Sequence, residues 1–145
     1  MKAIEVATFG GPDVLRLKSL ADPVPGPDQL LIAVSASDVL FVDTLIRSGR
    51  GAGYFPIRPP YVPGNGVGGT VVAVGEGVDA VWLGKRVMAH TGGAGGTGGY
   101  AQLAAADLHN TVSVPDGVNL RYATAVLTRT SRTSDHAEPI PAHAG

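Results

Sequence analysis

Apolar and polar positions alternate in short runs along most of the chain, and turn residues separate the runs. Residues 2–8 read as a first strand, closed by the turn Phe9-Gly10-Gly11-Pro12-Asp13. In Val14-Leu15-Arg16-Leu17-Lys18 the period is two, which predicts Leu15 and Leu17 against the core and Arg16 and Lys18 in water. Pro23, Pro25 and Pro27 mark an extended connection. Residues 30–37 form the clearest half-buried strand pattern, with Leu30, Ile32, Val34 and Ala36 on one face. The period then changes. Leu40, Phe41, Leu45 and Ile46 fall at helical spacing, with Asp38 as the expected cap and Gly49 as the terminator. A Gly/Pro-rich loop carrying Tyr54 and Tyr61 occupies residues 49–63. Further strands are expected near 69–74, 85–90 and 100–105, with a short one at 111–114. Pro115-Asp116-Gly117 leads into a helical start that Asn119 can cap, where Leu120, Ala123 and Leu127 share a side.

After Leu127 the pattern breaks. Thr128-Arg129-Thr130-Ser131-Arg132-Thr133-Ser134-Asp135 has no apolar periodicity, so residues 1–127 are expected to form one domain and 128–145 a disordered tail. The abruptness of the change points to a frameshift, in nature or in the gene model, that replaces the remainder of a longer protein.

Composition narrows the class. With 145 residues there is room for one ordinary domain and a sufficient core. The formal net charge of −1 and the lack of a basic stripe argue against nucleic-acid binding. Twenty-one glycines and 11 prolines accompany many valines, which favours short strands joined by turns: an all-β sandwich or barrel. With no cysteine, disulfides and thiolate metal sites are excluded. The longest apolar runs, 30–34 and 71–74, are of strand length, so no helical membrane span is expected. Glu5 interrupts the apolar start, so it does not read as a signal peptide, and the expected location is cytoplasmic.

The most specific stretch is Pro63-Gly64-Asn65-Gly66-Val67-Gly68-Gly69-Thr70-Val71-Val72-Ala73-Val74-Gly75-Glu76-Gly77-Val78. It resembles the Pro-Gly-x-Glu-x-x-Gly-x-Val-x-x-Val-Gly-x-Gly-Val signature of the medium-chain dehydrogenase/reductase superfamily. Residues 39–49 are similar to the Asn-x-x-Asp-x-Tyr-x-Arg-x-Gly segment of its zinc-independent quinone reductases, and Gly98-Gly99-Tyr100-Ala101-Gln102 to their Gly-Gly-Tyr-Ala-Glu turn. Pro115-Asp116-Gly117 falls where the family's Pro-x-Gly introduces the helix leading to the nucleotide-binding domain. The resemblance implies a mainly β, GroES-like, partly open barrel with short helices, and no nucleotide-binding Rossmann domain within the chain. It also implies NADPH or NADH as the cofactor of the intact enzyme, none bound by this chain alone, and no zinc. Asn65 and Gly66 stand at the His-Glu positions of the zinc enzymes, and a zinc site needs three or four placed ligands. His90, His109, His136 and His143 are isolated and read as structural or accidental.

By the same resemblance, Leu40, Phe41, Leu45, Tyr54 and Asn65 are the candidate cofactor-facing residues. Leu40 and Leu45 replace the family's asparagine and tyrosine, which makes the pocket floor more apolar. Tyr54 is either a donor to substrate or cofactor, or an aromatic packed on its loop. Asn65 can bond a ligand or serve the turn before Gly66. Asp43 and Arg47, four apart, have the spacing of a supporting ion pair, and Tyr61 reads as a loop anchor. Gly93-x-Gly95-x-x-Gly98 formally matches a dinucleotide fingerprint, but a barrel strand follows rather than a helix, so a flexible loop is expected.

The expected function is the catalytic-domain portion of an NAD(P)H-dependent reductase. Its substrate would be a small quinone, enone or other activated carbonyl, and the chain alone would be inactive. The alternative is a standalone GroES-like barrel acting as a binding or oligomerisation module. Catalytic residues and oligomeric state are not readable from the sequence.

Overall fold

The computed structural model describes residues 1–91 and 98–131. Among these residues, seven strands carry the fold: β1 (Lys2–Val6), β2 (Leu15–Ser19), β3 (Gln29–Ser37), β4 (Gly66–Val74), β5 (Arg86–His90), β6 (Leu103–Asp107) and β7 (Thr111–Ser113). Two helices join them, α1 (Phe41–Arg47) and α2 (Leu120–Ser131). β6-β3-β4-β5-β7 form an antiparallel sheet, and β1-β2 form a separate antiparallel pair. Two bridges, Ala3 to Ala101 and Val6 to Tyr61, fasten the pair to the rest. The mainly β, partly open barrel expected from the sequence is what forms.

The core is built from alternate positions of the five-stranded sheet. Leu30, Ile32, Val67, Val71, Val87, Ala89, Ala104 and Ala106 are buried together, and Val34 and Trp82 pack against them from the margin. Leu30 and Ile32 thus face inward as their spacing predicts. Leu31, on the opposite face of β3, is buried too.

β2 departs from its pattern. Leu17 is 64% exposed although its alternation with Arg16 and Lys18 predicts burial. β2 pairs only with β1, and past the half-buried Leu15 its residues are exposed on both faces. Alternation specifies which residues share a face but not that a core lies beneath it.

Helix α2 lies across β3, β4 and β5. Asn119 Oδ1 accepts the Arg121 N–H at 2.9 Å, the capping bond expected of it. A Cβ on Gly68 would collide with Thr124 Oγ1 and come within 3.3 Å of the Leu120 carbonyl, so glycine permits this close approach of helix to strand. Helical backbone runs on from Leu127 through Ser131, whereas helical patterning in the sequence stops at Leu127. The rest of the expected tail, 132–145, and most of the glycine-rich run, 92–97, lie outside the described residues.

Candidate functional site

The cap of α1 lies two residues beyond the position the sequence suggests. Leu40 is the N-cap, and its N–H donates to Asp43 Oδ2 at 2.9 Å, half of a capping box. Asp38, the expected cap, turns the other way. Its N–H donates to the Gly66 carbonyl at 3.0 Å, and its Oδ1 accepts the Gly66 N–H at 2.9 Å. A carboxylate next to an extended strand end finds the unpaired donor of the neighbouring strand before it reaches a helix two residues on. Gly49, at φ +81°, ends α1 as expected, with its N–H on the Ile46 carbonyl.

Asp43 is only 8% exposed, and besides Leu40 it receives the hydroxyl of Tyr100 at 3.0 Å. The expected Asp43–Arg47 ion pair does not form: Arg47 donates Nε to the Gly10 carbonyl at 3.3 Å. The i,i+4 rule concerns exposed helix faces. Here Asp43 faces the barrel, where a tyrosine far along the chain is the nearer donor.

Burial raises the Asp43 carboxyl above its ordinary range, the two donated hydrogen bonds pull it back, and the Asp38 charge pushes it up again. Burial and the Asp43 charge drive the Tyr100 phenol well above its ordinary value, and its bond to Asp43 and the Asp38 charge add to this, against Arg47. Tyr61 is raised by burial and then by Asp43, and its hydroxyl is buried without a partner among the described residues. Both phenols therefore stay protonated at neutral pH. Tyr100 is held as a donor to Asp43 and is unavailable as a base.

The five candidate cofactor-facing residues divide by position. Phe41 and Leu45 lie on α1 and Leu40 caps it: Phe41 is 74% exposed, while Leu40 and Leu45 are half-buried. Tyr54 is 88% exposed on the loop that doubles back over the end of α1, where the Gly51 N–H bonds the Leu45 carbonyl at 3.1 Å. Asn65 is half-buried before β4, and its carbonyl accepts the Thr91 N–H at 2.7 Å and the Thr91 hydroxyl at 3.0 Å. A cleft of about 290 Å³ between the end of β3 and α2 is lined by Ser35, Ser37, Asp38, Arg121 and Thr124, and by none of the five. Sequence reasoning missed Tyr100 and Thr91 as members of this region. The Gly-Gly-Tyr motif was a signal for Tyr100; for Thr91, nothing local distinguishes it.

Among the described residues no three His, Asp or Glu side chains converge as a metal group, and His90 has both ring nitrogens buried without a partner. Nor does any helix among the described residues have the length and apolarity to cross a membrane.

Residues 26–116 match the alcohol dehydrogenase GroES-like domain. The quinone oxidoreductase of Lama guanicoe is 42% identical over 129 residues, covering 87% of this chain and 37% of that protein. The human quinone oxidoreductase is 38% identical, with the same coverage of each. A mycobacterial protein solved in complex with NADPH superposes with a TM-score of 0.81 at 37% identity, over 97% of this chain and 42% of that one. The chain thus spans about 37% of the length of the curated relatives it matches. It belongs to the alcohol dehydrogenase GroES-like domain family, within the medium-chain dehydrogenase/reductase superfamily.

Proposed function

We propose that this chain is the substrate-side portion of a zinc-independent, NAD(P)H-dependent oxidoreductase acting on a quinone, an enone or another activated carbonyl, and that it is inactive alone. The observation that carries the reading is the likeness to quinone oxidoreductases over nearly the whole chain but little more than a third of theirs. The exposed wall of α1 and its loop supports it: Val39, Phe41 and Tyr54 are 77%, 74% and 88% exposed. Apolar side chains so placed fit a role in covering a flat, partly apolar ring. When bound, the nicotinamide supplies the hydride. This chain's share is to shield it from water with Leu40, Phe41 and Leu45, and to offer polar contacts from Tyr54 and Asn65. The cytoplasm is the compartment that goes with this reading.

The test joins residues 1–127 to the remainder of a quinone oxidoreductase relative and follows NADPH oxidation with a simple quinone. Quinone-dependent turnover by the chimera, and none by the 145-residue chain, is the expected result. A folded chimera that binds NADPH but reduces no activated carbonyl would overturn the proposed reaction. Turnover by the chain alone would overturn the claim that it is inactive by itself.

A second reading, a standalone barrel that binds a protein partner, draws on an apolar groove of about 280 Å³ lined by Met88, Val114, Val118, Tyr122 and Val126. A partner captured by residues 1–127, and released by Tyr122→Ser, would favour it.

A further inference from the structure

The turn after β1 and the loop after α1 meet beside the end of that helix. The Gly10 N–H donates to the Arg47 carbonyl at 2.9 Å, and Arg47 Nε donates back to the Gly10 carbonyl at 3.3 Å. This clasp sets the ring of Phe9 against Gly49, where φ is +81° and an added Cβ would come within 3.3 Å of the ring. Two residues on, the Gly51 carbonyl accepts the N–H groups of Tyr54 and Phe55, each at 2.9 Å. A Cβ on Gly51 would lie 3.1 Å from the Phe55 ring, so glycine here lets that ring lie close against the loop. Phe9, Phe55, Pro56, Ile57 and Arg58 line a pocket of about 260 Å³, and none of the five candidate cofactor-facing residues does. Arg58 is exposed and is the one charged side chain lining it. Among the described residues its guanidinium makes no hydrogen bond or ion pair.

We propose that this pocket is a binding site for a planar aromatic carboxylate. Phe9 and Phe55 offer ring faces and edges that pair with another aromatic ring in offset or edge-to-face contact. The volume lies just under the roughly 300–1,000 Å³ of pockets for drug-sized ligands, which limits the guest to one or two fused rings. Arg58 sets the charge of that guest. Its planar fork of donors pairs with both oxygens of a carboxylate, and among the described residues no acid lines the pocket to occupy it from within. Backbone hydrogen bonds and the close glycine contacts already hold both aromatic walls, so little ordering has to accompany binding. The inference concerns this domain and stands whether or not the chain takes part in hydride transfer.

The test titrates naphthoate into the 145-residue chain and follows the backbone amide resonances by NMR. Naphthamide, alike in shape but uncharged, and cyclohexanecarboxylate, charged but not flat, are titrated alongside. Naphthoate is expected to give saturable shifts at Gly10, Gly51 and Phe55, and each analogue to bind about tenfold more weakly. Arg58→Gln should weaken naphthoate by about tenfold and leave naphthamide unchanged, which separates the charged contact from the apolar one. Naphthoate that gives no saturable shift at these amides would overturn the proposal. Equal affinity for naphthoate and naphthamide, or for naphthoate and cyclohexanecarboxylate, would overturn it as well. So would naphthoate binding that Arg58→Gln leaves intact. The comparison of the three probes needs no variant, so it decides the matter even if the substituted chain fails to fold.

Discussion

Replacing Tyr100 by Phe removes one hydroxyl and leaves the ring where it is. The hydroxyl donates at 3.0 Å to Asp43, a carboxylate that is only 8% exposed and otherwise holds the Leu40 N–H. A hydrogen bond to a buried charged group contributes about 1.5–3 kcal/mol, so a loss of about 2 kcal/mol is expected near neutrality. For a domain of this size that is roughly 8 °C in Tm. The loss should depend on pH, and its sign follows from linkage. The Asp43 carboxyl is raised in the fold, so the folded chain holds this proton more tightly than the unfolded chain. Stability from this group is therefore fully present below the window between the ordinary carboxylate value and the raised one, and is lost as pH rises through it. Tyr100 is one of the donors that favour the ionised form, so its removal raises the carboxyl further and enlarges the penalty above the window. Thermal melts from pH 8 down to pH 4 should show the Tyr100→Phe deficit shrinking on acidification. In an Asp43→Asn background the same substitution should cost only about 0.5–1.5 kcal/mol, the range of a neutral pair, and show no such slope. A deficit that is flat in pH, or equally large beside Asp43→Asn, would refute the coupling of the two groups.

Leu17→Thr is expected to change stability by less than about 0.5 kcal/mol, because the leucine is largely solvated already, whereas Ile32→Ala should cost about 2–5 kcal/mol; urea unfolding distinguishes them. Gly68→Ala should lower Tm and speed proteolysis within α2, since the added methyl meets Thr124 and the Leu120 carbonyl, while Gly53→Ala, which meets nothing within 4 Å, should do neither. Asn119→Ala removes the bond to the Arg121 N–H and should cost about 1 kcal/mol, read as a lower Tm with α2 fraying first in hydrogen exchange.

Much of this architecture was legible because its signals are local. The period-two run ending β3, the terminating Gly49 and the cap at Asn119 each concern residues within one turn or one strand of each other. Their outcomes therefore depend little on the rest of the chain. The glycine-rich signature was legible as a motif, but its physical meaning was not. That Gly68 admits a helix and Gly66 admits a carboxylate shows only when α2 and β3 are in place.

Residue type and spacing along the chain were enough for the class of fold, the strand periodicity and the family. The sequence also excluded thiolate chemistry outright, since there is no cysteine. Tertiary structure alone decided the partners of the charged groups. Asp38 bonds a strand rather than the helix it precedes, and Asp43 bonds a tyrosine 57 positions away rather than the arginine four residues along. The reason is that a carboxylate partly or wholly shielded from water takes whichever donor the fold brings to it. Proximity along the chain sets that choice only where solvent offers an alternative. Leu17 marks the same limit for apolar residues: alternation assigned it a face, and only the tertiary structure shows that this face lies in water.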